Sequence, residues 1–454
     1  MTTCTPRAAW ITLLRRFHFY IGLFVGPFIF VAALTGTLYV ASPQLEHALY
    51  KDALTGSTSG ENQPLASQVA IAEQVTGGHL KISAVRPALI AGETTRVMFA
   101  DPQLGESESR AVFIDPVTLS VKGDLTVYGT SGILPFRQWI DYAHRSLLLG
   151  NPGRIYSELA ASWMWVAALG GIVLWFYTRP KRRINNRVQK TRRLHVGLGW
   201  GLLAGMLLFS ATGLTWSQWA GGNVDKMRAA FGWLTPQVNT LLSKGTQAHD
   251  PHADHHMHHA GMTMPVEHIE LPLFDKVLQS AQREGIRADK LEIRPPRDAS
   301  RAWTVTEIDR SWPTRVDAVA VDGASLQVID HTRFEDYPLM AKLTRWGVDF
   351  HMGVLFGLAN QWVLIAFGLA LCVAVLLGYR LWWLRRPQGA LINPGETLSQ
   401  SWLALPLSGR IVTLCIAMIF GAALPIMGAS LIAFLLVDVI RWRQARQRTV
   451  QQNA

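Results

Sequence analysis

Four stretches of this chain are apolar for about the 20 residues a helix needs to cross a bilayer: Phe19–Ala41, Leu159–Tyr177, Val196–Trp216 and Val354–Tyr379. A fifth, Leu407–Val437, is longer and has Pro425 near its middle, which suits one kinked helix or a short hairpin. The first run is too long for the core of a cleavable leader, and no small-residue cleavage site follows it, so it reads as an anchor. The polar stretches between these runs have shorter periods. Residues 65–75 and 273–284 predict amphipathic helices; in the second, Leu273, Phe274, Val277, Leu278 and Ala281 share one side. Strand-like alternation follows in TRVMFADP and SRAVFIDPVTLSVKGD, and again in RAWTVTEID and TRVDAVAVDGASLQVID. Asp115-Pro116 and Asp322-Gly323 mark turns between these strands. Each long polar segment therefore predicts a small α+β unit.

Composition agrees with a membrane-embedded class: of 454 residues, 49% are hydrophobic and 17% charged. The net charge of +11 would suit nucleic acid, but its placement argues against that. Eight basic residues and no acid lie between Arg179 and Arg193, and more basic residues flank the first and last apolar runs. Of the 32 acids, 29 fall in 42–157 and 217–353. This is the positive-inside distribution. It places the N-terminus, 178–195, 380–410 and the C-terminus in the cytoplasm and the two long segments outside. Basic residues at both ends of the last run favour a hairpin, giving six crossings. Cys4, Cys372 and Cys415 all lie off the external segments, so no external disulfide forms within the chain. There is no C-x-x-C-H for covalent haem attachment, and no phosphate-binding or flavin-type glycine loop follows a strand.

The chain repeats. RFHFYIG around His18 matches RLHVGLG around His195, with an Arg two before the His and a Gly four after. Thr35-Gly36 follows His18 by 17 and 18 residues, and Thr212-Gly213 follows His195 at the same distances. HRSLLLG at His144 matches HMGVLFG at His351; Gly171 and Gly378 each follow by 27, Trp175 and Trp382 by 31, Pro180 and Pro387 by 36. Halves that cross in the same sense are related by an axis along the membrane normal. His18 and His195 then face each other near the cytoplasmic side, and His144 and His351 near the outer side.

Two imidazoles across an axis suit the two axial positions of a b-type haem. Gly22 and Gly199, one turn beyond each inner His, would let a flat macrocycle lie against the backbone. Arg16 and Arg193 stand where propionates would be met. Plainer readings compete: a single His at a helix end is ordinarily an interfacial tip, the two arginines are also plain positive-inside anchors, and the Trp175–Trp382 pair suits an interfacial belt. The fourfold placement, not any one residue, favours ligation.

A helix followed by a hairpin ending V-D-P/G-x-x-x-x-V is similar to a PepSY domain. Together with RRFHFYIG, HRSLLLGNPGRI, RRLHVGLGW and HMGVLFG, the chain resembles the PepSY-associated transmembrane family of iron-regulated bacterial inner-membrane proteins, over roughly residues 10–390. The resemblance implies an integral membrane α-helical bundle with a parallel internal repeat, five to six spanning segments and two periplasmic α+β PepSY-like domains. The expected organisation is a cytoplasmic N-terminus and first transmembrane helix (1–41), a first external domain (42–143), two helices joined by a basic loop (144–216), a second external domain (217–350), a fourth helix (351–387), and a loop, C-terminal hairpin or kinked helix, and basic tail (388–454). Some members of that family are understood as di-haem ferric-siderophore reductases. This implies haem ligation by His18, His144, His195 and His351, a periplasmic ferric-siderophore or other oxidised metal complex as substrate, and a separate reductase or quinol as donor. One segment departs from the family pattern: HDPHADHHMHHAGMTM (249–264) carries His249, His252, His255, His256, His258 and His259 with Met257 and Met262. It reads as a loose capture site for copper, zinc or nickel, or as a metal-indifferent low-complexity loop. A metal or siderophore transporter and a non-enzymatic PepSY sensor or binding module are the competing functions.

Overall fold

The computed structural model describes residues 6–179, 186–242, 269–385 and 397–452. Helix α1 (Pro6–Tyr20), a π-helical turn (Ile21–Val25) and α2 (Gly26–Ala41) form the first apolar run, followed by the short α3 (Pro43–Leu49) and α4 (Lys51–Leu54). Next come α5 (Leu65–Thr76) and strands β1 (Lys81–Arg86), β2 (Thr95–Ala100), β3 (Glu108–Ile114) and β4 (Val121–Tyr128). Four helices follow: α6 (Pro135–Ser146), α7 (Gly150–Tyr177), α8 (Arg187–Thr215) and α9 (Ala220–Ala230). The second polar segment holds α10 (Pro272–Arg283) and strands β5 (Leu291–Arg294), β6 (Trp303–Glu307), β7 (Ala318–Val321) and β8 (Val328–Thr332). Helices α11 (Leu339–His351), α12 (Gly357–Leu384), α13 (Leu398–Leu403), α14 (Leu407–Ala423) and α15 (Pro425–Gln452) complete the chain.

The chain divides into two compact units, a helical one (Met1–Leu38, Asp141–Met227, Trp362–Ala454) and a sheet-bearing one (Tyr39–Ile140, Arg228–Gln361). In the helical unit five helices are long and apolar enough to cross a membrane: Arg7–Ala41, Gly150–Tyr177, Arg187–Thr215, Gly357–Leu384 and Pro425–Gln444. The fifth apolar run is two helices rather than one kinked helix. Pro425 takes the first position of α15, where its missing N–H would have no intrahelical partner anyway. At the joint, a Cβ on Gly428 would come within 2.8 Å of the Gly421 carbonyl oxygen, so only glycine permits this approach. Its first arm, Leu407–Ala423, is shorter than the five. Small residues also seat α12, since a Cβ on Gly205 would overlap the Phe367 ring.

Among the buried carboxylates of this unit, Glu158 and Asp438 act as helix caps. Glu158 on α7 accepts the N–H groups of Trp219 (3.0 Å) and Ala220 (3.1 Å) at the start of α9. Asp438 on α15 accepts from Leu398 N–H (2.9 Å), Ser399 N–H (2.7 Å), the Ser399 hydroxyl (2.7 Å) and the Tyr20 hydroxyl (2.6 Å). A carboxylate at a helix N-terminus satisfies orphan donors and meets the positive end of the helix dipole.

In the sheet-bearing unit the eight strands run in the order β4-β3-β2-β1-β5-β6-β7-β8, every neighbour antiparallel. The two polar segments, expected as one α+β unit each, thus share a single sheet joined at β1 and β5. Alternation explains the layers. Val85, Val97, Phe99, Val112 and Ile114 point to one face with Ile293, Val305 and Val319, and α5 and α10 cover that face through Val69, Ala72, Phe274, Val277 and Ala281. Asp275 on α10 caps α5, accepting Leu65 N–H at 2.7 Å and Ala66 N–H at 2.8 Å. The opposite face carries Ala84, Met98, Ala111 and Phe113.

Beside the single Val85–Ile293 register pair, Arg86 of β1 donates to Glu292 of β5 at 2.8 Å. Arg86 also holds the carbonyls of Thr130 (2.7 Å) and Ser131 (3.1 Å), and Glu292 accepts from Arg294 at 2.7 Å. Burial would raise the Glu292 carboxyl, but Arg86 and Arg294 outweigh it and hold it down at about 2, against an ordinary 4.5. The stabilisation is therefore complete above pH 4.5 and is lost as pH falls toward 2. Glu292→Gln leaves Arg86 buried beside a neutral amide and is expected to cost about 3 kcal/mol. Thermal unfolding of detergent-solubilised protein, with hydrogen exchange read at β1 and β5, measures this. The variant should also lose the wild type's decline between pH 4.5 and 2, and equal stability of the two proteins would show that the ion pair does not hold the seam.

Candidate functional site: a facing histidine pair

His18 lies near the end of α1, just before the π-helical turn, and the sequence dictates that turn. Pro27 has no N–H, so the Leu23 carbonyl loses its helical partner four residues on. The Tyr379 hydroxyl of α12 fills the vacancy, donating to Leu23 O at 2.9 Å. The Gly26 N–H instead reaches back five residues to Ile21 O. Such π turns recur at functional sites.

The His18 and His195 rings face each other with centroids 6.3 Å apart and planes 74° apart. A metal–imidazole bond of about 2.0 Å, plus about 1.1 Å from nitrogen to ring centre, puts the centres of two imidazoles on opposite sides of one metal about 6 Å apart. The spacing fits. His195 Nδ1 lies 2.9 Å from the Ala374 carbonyl oxygen. A carbonyl only accepts, so Nδ1 carries the hydrogen and Nε2 keeps a lone pair for a metal. Nδ1 of His18 is buried with no hydrogen-bond partner, although the Ala167 carbonyl lies beside that ring. Each ring also rests on a glycine: a Cβ on Gly171 would stand 3.1 Å from His18 Cε1, and one on Gly378 3.5 Å from His195 Cε1. Gly22 and Gly199 have no heavy atom within 4 Å of a would-be Cβ, which leaves the room a macrocycle needs. Arg16 is half-buried and Arg193 exposed on the same two helices.

His144, near the end of α6, belongs to the helical unit, where its Nδ1 lies 3.1 Å from the Thr35 hydroxyl oxygen. His351 ends α11 and belongs to the sheet-bearing unit. There Asp349, fully buried, accepts from Arg310 (2.6 Å) and Arg345 (2.9 Å), and Asn360 Nδ2 donates to the Phe350 carbonyl at 3.0 Å. Burial pulls the Arg310 guanidinium below its ordinary range, and Asp349 only partly restores it. His249, His252, His255, His256, His258, His259, Met257 and Met262 lie outside the described residues. Among the described residues no three His, Cys, Asp or Glu side chains cluster as a metal site. A haem asks less of the protein, because the porphyrin supplies four of the six ligands.

The sequence pattern singled out the four histidines and Gly22, Gly199, Arg16 and Arg193. It missed the roles of Thr35, Tyr379 and Asp438. Gly171 and Gly378, matched in the sequence only by their spacing from His144 and His351, lie against the rings of His18 and His195.

These features define a polytopic membrane protein with paired, half-buried imidazoles among its apolar helices. The chain belongs to the family described as the PepSY-associated TM region, whose model matches residues 15–385. No curated protein matches the chain.

The glycine floors make a testable contrast. Gly171→Ala forces its new methyl to within 3.1 Å of His18 and is expected to cost about 1–3 kcal/mol. Gly378→Ala gains only ordinary contact at 3.5 Å and is expected to be neutral or to gain a few tenths of a kcal/mol from helix propensity. Thermal unfolding in one detergent compares them; equal losses would mean that ring clearance is not what glycine provides at 171.

Proposed function

We propose that the protein is a b-type haem carrier of the bacterial inner membrane that reduces an oxidised metal complex, such as a ferric siderophore, on the periplasmic side. The observation that carries this reading is the His18–His195 pair at 6.3 Å, with the His195 tautomer set by Ala374. A haem held there supplies one-electron chemistry. The chain's own part is to present Nε2 of two imidazoles, to leave space at Gly22 and Gly199, and to offer Arg16 and Arg193 to the propionates. A second haem at His144 and His351 rests on the sequence repeat. In this reading the halves form a parallel repeat, the sheet-bearing segments are periplasmic and receive the metal complex, and a reductase or quinol delivers electrons from the inner side. Ferrous iron has less charge and lower affinity for hard oxygen ligands, so reduction would loosen a chelate. The 249–264 segment, rich in imidazole and thioether, would add loose capture of copper, zinc or nickel.

Transport is the weaker reading. Intramembrane ionisable groups ordinarily mark ion pathways, but here Glu158 and Asp438 are spent as helix caps. That supports a carrier of electrons over a carrier of ions. Purified wild-type protein is expected to give a reduced b-type spectrum with two haems per chain by pyridine haemochrome, and His195→Ala to lose one of them. A colourless wild type would reject the proposal, and metal uptake into sealed vesicles without a reductant would turn the reading to transport.

A further inference from the structure

We infer that Gly171 and Gly378 are positioning residues that keep the Ala167 and Ala374 carbonyls open to Nδ1 of His18 and His195. The inference rests on the haem reading above and goes beyond ring clearance, because it assigns to each glycine the acceptor it uncovers. In an α-helix the carbonyl of residue i takes the N–H of residue i+4 and keeps a second lone pair at the helix surface. The side chain of residue i+4 leans back toward that carbonyl, since every Cα–Cβ bond tilts toward the helix N-terminus. Helix α2 shows the effect twice. The Thr35 hydroxyl covers the Val31 carbonyl at 2.7 Å, and the Thr37 hydroxyl covers that of Ala33 at 2.7 Å. Between them stands Gly36, which floors the His144 ring, and the carbonyl four residues before it, that of Ala32, accepts a hydrogen bond from that ring. The same spacing recurs at the inner pair. His195 Nδ1 lies 2.9 Å from the Ala374 carbonyl oxygen, and Gly378, four residues on, floors its ring. The Ala167 carbonyl lies beside His18, and Gly171, four residues on, floors that ring. Three rings of the helical unit thus share one seat, a helix carbonyl at i and a glycine at i+4. Ring clearance alone would not require each ring to meet the carbonyl that its glycine uncovers.

The seat has a chemical consequence. A proton on Nδ1 held by a peptide carbonyl leaves Nε2 as the metal-binding nitrogen and enriches the imidazole, which favours ferric iron. His18 Nδ1 makes no hydrogen bond in the structure. With Nε2 on a metal, Nδ1 carries the hydrogen, and the Ala167 carbonyl is the acceptor beside it. Both ligands of the inner pair would then be tuned by the same kind of acceptor.

The test is a potentiometric titration of the full-length, haem-loaded protein carrying Gly378→Ser or Gly378→Ala. Both side chains fit, since a Cβ at 378 gains only ordinary contact at 3.5 Å. The serine hydroxyl competes for the Ala374 carbonyl, as the Thr35 hydroxyl takes that of Val31, whereas the alanine methyl does not. Gly378→Ser is expected to move one b-haem transition upward by about tenfold in the oxidised-to-reduced ratio, 59 mV for one electron. The same haem should leave to apomyoglobin about tenfold faster. Gly378→Ala should move neither reading. Gly171→Ser, although tighter with its Cβ 3.1 Å from His18, should move the same transition, because both rings are assigned to one haem. It covers the case in which the 378 variant folds poorly. Gly205→Ala is the packing control, since its methyl meets the Phe367 ring rather than a histidine. With haem bound, equal potentials for serine and alanine at 378, shifts of two different transitions by the two serine variants, or an equal shift in Gly205→Ala would overturn the assignment alone. A wild type without haem would overturn the haem reading and this inference with it.

Discussion

An imidazole placed among apolar helices must have one nitrogen satisfied by protein if the other is to be free for chemistry, and the helical unit is organised around that constraint. Each solution draws on a different helix. His195 on α8 uses a carbonyl of α12, and His144 on α6 uses α2, through the Ala32 carbonyl and the Thr35 hydroxyl. The close approach this requires explains the glycines at 36, 171 and 378 better than helix packing alone, because in each case the nearest atom to a would-be Cβ is a histidine Cε1. Moving any of these helices by an ångström would strip a nitrogen of its partner. The other contacts in the unit serve to prevent that. The Tyr379 hydroxyl on the Leu23 carbonyl ties α12 to the turn that follows His18, and Gly26 packs on the same tyrosine ring.

The sheet-bearing unit solves a different problem. Two four-stranded halves, each with one covering helix, would each leave an open edge at its first strand, and exposed edges invite unwanted pairing. Here β1 and β5 cover each other. The seam has a single register pair, so side chains must fix it. Arg86 and Glu292 do so from opposite sides, and Arg86 also gathers the 130–131 backbone. On the far face, Asp275 of one segment caps the helix of the other. The two segments, separated by the 87 residues 141–227, are thereby one folding unit with a shared core.

Much of this was legible in the sequence, for identifiable reasons. Apolar runs of spanning length report helices directly, and both amphipathic helices of the sheet-bearing unit fall within about one residue of where their periodicity puts them. Strands β2, β6 and β7 lie in the stretches with period-two alternation, and β3, β4 and β8 overlap them. The seam strands β1 and β5 were not legible: KISAVR and LEIR are short, and their polar Arg86 and Glu292 face inward as a pair rather than outward. Pairing of residues 206 positions apart has no local signal. The histidine pair was visible through repetition, whereas Thr35 was visible only as a register match, since its partner lies 109 residues away. Pro27 carried a signal that was not used, as a proline inside an apolar run announces a carbonyl in need of a donor.

The C-terminal hairpin lies beyond the family match, yet it is fastened beside His18. Asp438 joins three elements, accepting from two backbone N–H groups and a hydroxyl at the start of α13 and from Tyr20, two residues after His18. Arg441 stands on the other side of the Tyr20 hydroxyl at 3.4 Å. Trp163 of α7 is wedged between Phe17 and Phe434, with ring centres at 6.0 and 5.5 Å, and its indole N–H donates to Ser430. The hairpin thus braces α1 and α7 on either side of His18. His195 is tied to Ala374 through Nδ1, whereas His18 is supported by the packing of Phe17 on Trp163 and of Trp163 on Phe434.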